Sequence, residues 1–331
     1  MEHFYIERKT GKPVKEKFFS NSMIKFLYDP LRENYNFLFK MLTSSRSSKA
    51  AAFFYYDFLP ALNPLKSVNE LLDEFSIEKS ELYPDLESYK TPKSVFERKI
   101  NYLTKRPMPD SDFSIVSPCD SRISIGDENS NSVFFIKNKF FSMEELISKK
   151  KWSDIFKLGN FAVFRLTPDK YHYNHCPVSG IVEDFYEIEG ANHSCNPYAV
   201  QKIEKPLSKN KRAVTIINTD VPGGTNTGMV AMVEIAALMI GRIIQCFSSN
   251  LYDENTEMEK GLFLKKGMPK SRFAPGSSSV VLLFEKNKVK FDKDLLFFSK
   301  LKNIPSIFTN DFENPLVEID LNVREQIAVK L

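Results

Sequence analysis

The chain has 331 residues, with 46 Lys and Arg against 42 Asp and Glu, a net charge of +4. That surplus is too weak for a dedicated nucleic-acid surface, and 42% hydrophobic with 27% charged residues excludes a disordered chain. Phenylalanine is abundant (29) and glycine sparse (12), which disfavours a glycine-rich dinucleotide fold.

The polar start, MEHFYIERKTGK, lacks the apolar core of a signal peptide. Residues 17–80 read as helical, with apolar positions at helical spacing in SMIKFLYDPLRENYNFLFKML, KAAAFFYYDFL and VNELLDEF. Ser67 followed by Glu70 has the spacing of a capping box. The cluster Phe53, Phe54, Tyr55, Tyr56 and Phe58 fits a buried core. It also fits a surface helix dipping into a membrane interface beside Arg46 and Lys49. No apolar run reaches the 18 or so residues of a spanning helix; the best, Met229 to Ile240, is broken by Glu234.

Beyond about residue 110 the pattern changes to short β-rich runs: SRISIGD, SVFFIKN, FAVFRL, IVEDFYEIEG, AVTIIN, MVAMVEIAALMI, GRIIQCF, SVVLLFE and KVKFD. Pro and Gly punctuate them in TPDKY, CPVSG, VPGG and APG. Helices first and strands afterwards predict an α+β fold, with a helical region over 1–110 packed on a β-rich core over 111–331.

Four residue groups have chemical potential. Cys119, Cys176, Cys195 and Cys246 contain no C-x-x-C pair, against a zinc knuckle or a redox motif. His172 and His175 sit in Tyr171-His-Tyr-Asn-His-Cys-Pro177. An H-x-x-H pair offers two metal ligands, but no third ligand stands at a familiar spacing, so no metal is expected; loop histidines satisfied by hydrogen bonds are the default for such a pair, and a general acid/base role is also open. Phe273-Ala-Pro-Gly-Ser277-Ser278-Ser279 runs into an apolar strand, either a plain turn or a nucleophilic serine at a strand edge. Asp120, in Ser117-Pro-Cys-Asp-Ser121, is either a turn residue or the group that orients a histidine base.

Together these blocks resemble the phosphatidylserine decarboxylase proenzymes. RLTPDKYHYNHCPVSG is similar to the family's R-L-x-P-x-D-Y-H-x-x-H-x-P-V-x-G, SPCDS to S-P-x-D-G, and VFERKINYLTKRPMP to F-F-x-R-x-L…R-P. IKNKFFSMEELI resembles V-K-G-x-x-Y-S-L-x-x-L-L, and NPYAV with NKR resembles N-P…N-x-R. VEIAALMIGRI stands where V-x-V-G-A-x-x-V-G-S-I occurs, and GSSSVVLLFE where G-G-S-T-V-V-L-L-F occurs. Lys170, Ser121, Ala236 and the Gly267-Met-Pro-Lys-Ser271 stretch depart from the family's residues; the last lacks its acidic residue and glycine.

The resemblance implies self-cleavage between Ser277 and Ser278, with Ser278 becoming a covalent pyruvoyl group and no metal. The alternative cut, Gly276-Ser277, makes Ser277 the precursor. Asp120, His175 and Ser278 would form the self-cleavage triad, and His172 would serve decarboxylation. The product would be phosphatidylethanolamine and carbon dioxide, formed from phosphatidylserine through a Schiff base. The partners implied are the lipid, a membrane surface held peripherally from the cytoplasmic side, the two cleavage chains, and a homodimer; nucleic acid is not among them. A degenerate uncleaved member that binds lipid or a partner, a decarboxylase of another amino-acid substrate, and a serine hydrolase remain as alternatives.

Overall fold

The computed structural model describes residues 2–18, 64–126, 141–203, 205–237, 242–276, 278–308 and 316–331. The early part of the chain contributes strands Phe4–Glu7 (β1), Lys12–Lys15 (β2), Leu82–Tyr83 (β3) and Lys99–Ile100 (β4). Then come Ser114–Val116 (β5), Ser121–Gly126 (β6), Phe161–Leu166 (β7), Tyr173–His175 (β8) and Gly180–Ile188 (β9). Arg212–Asn218 (β10), Met229–Ala236 (β11), Ile243–Gln245 (β12), Phe263–Leu264 (β13) and Pro269–Phe273 (β14) follow. Ser278–Phe284 (β15), Val289–Phe291 (β16), Ile319–Leu321 (β17) and Gln326–Lys330 (β18) complete them.

Ten strands form one mixed sheet in the order β13-β9-β10-β11-β15-β7-β6-β17-β1-β2. Its central strands are continuous apolar runs because both faces are covered. Val280, Leu282 and Phe284 of β15 pack on one side with Phe164, Met232 and Ile319. Val281 and Leu283 pack on the other with Val163, Val233, Trp152 and Phe156. β9 lies next to the edge and mixes buried with half-exposed positions. β12, β14 and β8 form a separate three-stranded sheet, and a second joins β16, β18 and β5.

The fold is α+β, and among the described residues the helices are few and short. The helical reading of the first 110 residues differs from the structure at its start, where β1 and β2 belong to the main sheet; β1 pairs with β17 in parallel. Arg165 of β7 anchors this N-terminal piece through buried ion pairs to Glu16 and Glu318. His3 accepts from the Ile307 amide at Nδ1, so its Nε2 carries the proton and donates to Glu318 over 2.9 Å. His3, Glu16 and Glu318 are the one cluster of metal-type donors among the described residues, and the Arg165 guanidinium already neutralises its carboxylates.

The helix Pro64–Glu74 (α1) falls within the predicted helical stretch, but it begins three residues before Ser67, which lies in its first turn instead of at its cap. Residues 19–63, including the aromatic cluster at 53–58, lie outside the described residues, as does the predicted strand SVFFIKN. Among the described residues no helix is long and apolar enough to cross a membrane.

Candidate active site

Three stretches of chain converge through backbone hydrogen bonds. The His175 amide donates to the Pro118 carbonyl at 2.7 Å. The Cys176 amide donates to the Met268 carbonyl, and the Gly267 amide to the Cys176 carbonyl, both at 2.8 Å. Phe273, the last residue of β14, donates its amide to the His172 carbonyl at 3.0 Å. Ser117–Ser121, Tyr171–Cys176 and Gly267–Phe273 are thereby fixed together, and β14 leads directly to the turn before Ser278.

Ser278 opens β15, opposite Leu166 of β7 and Ala236 of β11. Its side chain is fully buried, and its Oγ has no hydrogen-bond partner among the described residues. An orphaned buried hydroxyl is costly, and a catalytic role is one explanation for it. The Cys195 thiol donates to the Ser278 carbonyl at 3.3 Å. Gly276 has φ +143°, a conformation that side-chain-bearing residues avoid. Ser277, the alternative precursor, lies outside the described residues.

His175 is fully buried and doubly bound. Its Nδ1 lies 2.8 Å from the Gly267 carbonyl, which only accepts, so the proton sits on Nδ1. Nε2 is then a lone pair, and the Tyr171 hydroxyl donates to it from 3.0 Å. Tyr171 in turn meets the Tyr252 hydroxyl at 2.8 Å, and Tyr252 is held by both backbone groups of Ile100. Burial pushes the His175 imidazole down to about 3, so it is neutral at physiological pH.

His172 is likewise buried, with Nδ1–H donating to the Lys170 carbonyl at 2.7 Å. Its ring lies 3.8 Å from that of Phe96, and its Nε2 has no partner among the described residues. Burial, then the nearby Arg98 cation, pushes it down to about 3. Arg98 is itself buried and donates to the Asp169 carbonyl at 2.7 Å, three residues before this histidine.

Asp120 is also buried, but its hydrogen bonds go elsewhere than to His175. Oδ1 accepts from the Val323 amide (2.7 Å), and Arg106 donates to Oδ1 (3.1 Å) and Oδ2 (2.8 Å). Burial opposes ionisation, yet the Arg106 guanidinium outweighs it and holds the carboxyl below the usual range. The Asp120 charge reaches His175 only through space, where the Arg324 and Arg106 cations oppose it. Tyr171, Tyr252, Arg106 and the Gly267 carbonyl escaped the reading of the sequence as site residues. Tyr171 and Arg106 do lie inside quoted blocks, where their types alone announce no role.

A family model described as phosphatidylserine decarboxylase matches residues 93–300, which span every group just described except Val323. The chain belongs to the phosphatidylserine decarboxylase family. The phosphatidylserine decarboxylase proenzyme of Fusobacterium nucleatum is 30% identical, over 88% of this chain and 90% of that protein. That of Clostridium tetani is 29% identical over 91% and 94%, and that of Chlamydia trachomatis 30% over 90% and 92%. As a member of this decarboxylase family the chain is an enzyme.

Proposed function

We propose that this protein is a proenzyme that cuts itself before Ser278 and then converts phosphatidylserine to phosphatidylethanolamine and carbon dioxide. The observation that supports it most is the Ser278 hydroxyl, buried without a partner among the described residues just beyond the positive-φ Gly276. A serine consumed in the reaction has no lasting need of a partner for its hydroxyl. The residues fit a pyruvoyl group formed in place at position 278.

In the cleavage step Ser278 Oγ adds to the carbonyl carbon of residue 277 and its proton passes to His175 Nε2, the Tyr171 hydroxyl giving up its hold on that lone pair. The C–N bond breaks as the ester forms, and the proton goes to the freed amine of residue 278. Loss of the α-proton then expels residue 277 as a carboxylate, and water replaces the nitrogen as ammonia, leaving a ketone. His175 suits the first transfer because Gly267 holds its proton on Nδ1 and leaves Nε2 as the basic atom. Asp120 stabilises positive charge on that imidazole from a distance, its own charge held in place by Arg106 and Val323.

The pyruvoyl ketone supplies an electron sink for loss of carbon dioxide from an amine-bearing carbon. His172 is the residue assigned to return a proton to that carbon, through the unpartnered Nε2. Phe96 excludes water from one face of its ring. A diacyl lipid reaches such a site only from a membrane surface, so the protein would act while bound peripherally to one.

The test is the intact mass of the denatured, reduced protein together with turnover on phosphatidylserine vesicles. Cleavage before Ser278 yields fragments of 277 and 54 residues (331 − 277), and a cut after Gly276 yields 276 and 55. Ser278→Ala should remain a single chain of 38.2 kDa and be inactive. An active, unbroken parent chain would overturn the proposal, and a 276/55 split would transfer the role to Ser277.

A further inference from the structure

Lys270 and Glu234 form an ion pair with both side chains fully buried, Nζ to Oε2 at 2.8 Å. Lys270 also donates to Gln245 Oε1 (2.8 Å), and Gln245 Nε2 donates to Glu234 Oε2 (2.9 Å). The Ser271 hydroxyl donates to Glu234 Oε1, and Asn174 Nδ2 donates to Ser271 Oγ at 2.9 Å. The five residues come from β14, β11, β12 and β8. Each strand of the small sheet is therefore tied to one carboxylate on the large one.

The location of that carboxylate is specific. On β11, Ala236 stands opposite Ser278 and Glu234 opposite Val280 of β15. Side chains two apart in a strand share a face, so Glu234 is the diagonal neighbour of Ser278 on the same side of the sheet. β14 leads into the turn before Ser278, and β8 carries His175. The same network thus holds the strand of the base and the strand preceding the nucleophile. Two of its members, Lys270 and Ser271, lie in the stretch that departs from the family's residues, and Glu234 answers both.

A buried ion pair adds little net stability over an apolar pair of similar volume, whereas loss of one partner strands a charge. Directional hydrogen bonds do fix geometry in a way that apolar contact does not. We propose that Lys270 and Glu234 are positioning residues, clamping the β8–β14 pair onto the Ser278 face and thereby setting the rate of self-cleavage. This rests on Ser278 being the cleaved serine.

Two measurements on Lys270→Met, Glu234→Gln and the double variant test it. In a Ser278→Ala background, where every chain stays intact, amide exchange is followed by mass spectrometry over residues 173–175 and 269–273. With Ser278 present, the rate of appearance of the two fragments is followed in freshly synthesised chains. Each single variant should speed exchange and slow cleavage by at least about tenfold, because each leaves one buried charge alone. The double variant should return both to within about threefold of the parent, since the neutral amide introduced by Glu234→Gln can bond Gln245 and Ser271. Singles that match the parent, or a double as impaired as the worse single, overturn the clamp. A parent that never cleaves removes the self-cleavage reading, while exchange still decides whether the clamp exists.

Discussion

The Tyr171 hydroxyl lies 3.0 Å from His175 Nε2, one helical-type spacing away in sequence but within a single buried hydrogen-bond chain that ends at Ile100. Tyr171 thus covers the one basic atom of an imidazole whose other nitrogen is committed to Gly267. Removing its hydroxyl strands a buried lone pair. Tyr171→Phe should destabilise the uncleaved Ser278→Ala protein by about 1–3 kcal/mol in urea denaturation, and an unchanged midpoint would contradict the proton assignment.

Asp120 and Arg106 form a buried pair whose carboxylate also accepts the Val323 amide. Asp120→Asn removes the charge and leaves Arg106 with Glu81 alone. A loss of about 3 kcal/mol or more is expected, read as a drop in melting temperature, alongside slower cleavage. Slower cleavage at unchanged stability would mean that Asp120 serves His175 alone.

The two buried imidazoles make stability depend on pH with a definite sign. Both fall from 6.5 to about 3 on folding, so between those values the unfolded chain binds more protons and stability falls as pH falls. Asp120 and Asp169, held below their ordinary values, add a loss of the same sign at lower pH. The urea midpoint of the uncleaved protein should decline from about pH 7 to about pH 4.5, and His172→Gln with His175→Gln should flatten that decline.

Gly276 occupies φ +143°, where a Cβ brings backbone strain. Gly276→Ala should cost about 1–3 kcal/mol and slow cleavage, because the strain falls at the turn entering the cut. Normal cleavage and melting in this variant would show that the turn has an alternative conformation of low energy.

Burial pushes the thiols of Cys176 and Cys246 up to about 12, and that of Cys119 well above its ordinary value. None of the three should react with iodoacetamide at about pH 8 in the native protein, and all should react in urea, as peptide mass mapping would reveal. Native labelling of Cys176 would place that thiol nearer to solvent than the fold does.

Much of the sheet was legible in the sequence. FAVFRL, AVTIIN and SVVLLFE are apolar or alternating runs whose pattern depends only on neighbouring residues, and they became β7, β10 and β15. The strands at Phe4–Glu7 and Lys12–Lys15 were not legible. They are short and charged, and they hold their place through Arg165, 149 residues beyond Glu16.

The sequence by itself determined the family, the α+β class, and the candidates Asp120, His172, His175 and Ser278, because residue types at set spacings carry that information locally. Only the tertiary structure decided which groups meet. It turned Asp120 toward Arg106, gave the nitrogens of His175 to Gly267 and Tyr171, and placed Lys270 on Glu234. The physical reason is that a buried polar group must find a partner wherever packing supplies one, and the nearest donor in space is commonly remote along the chain.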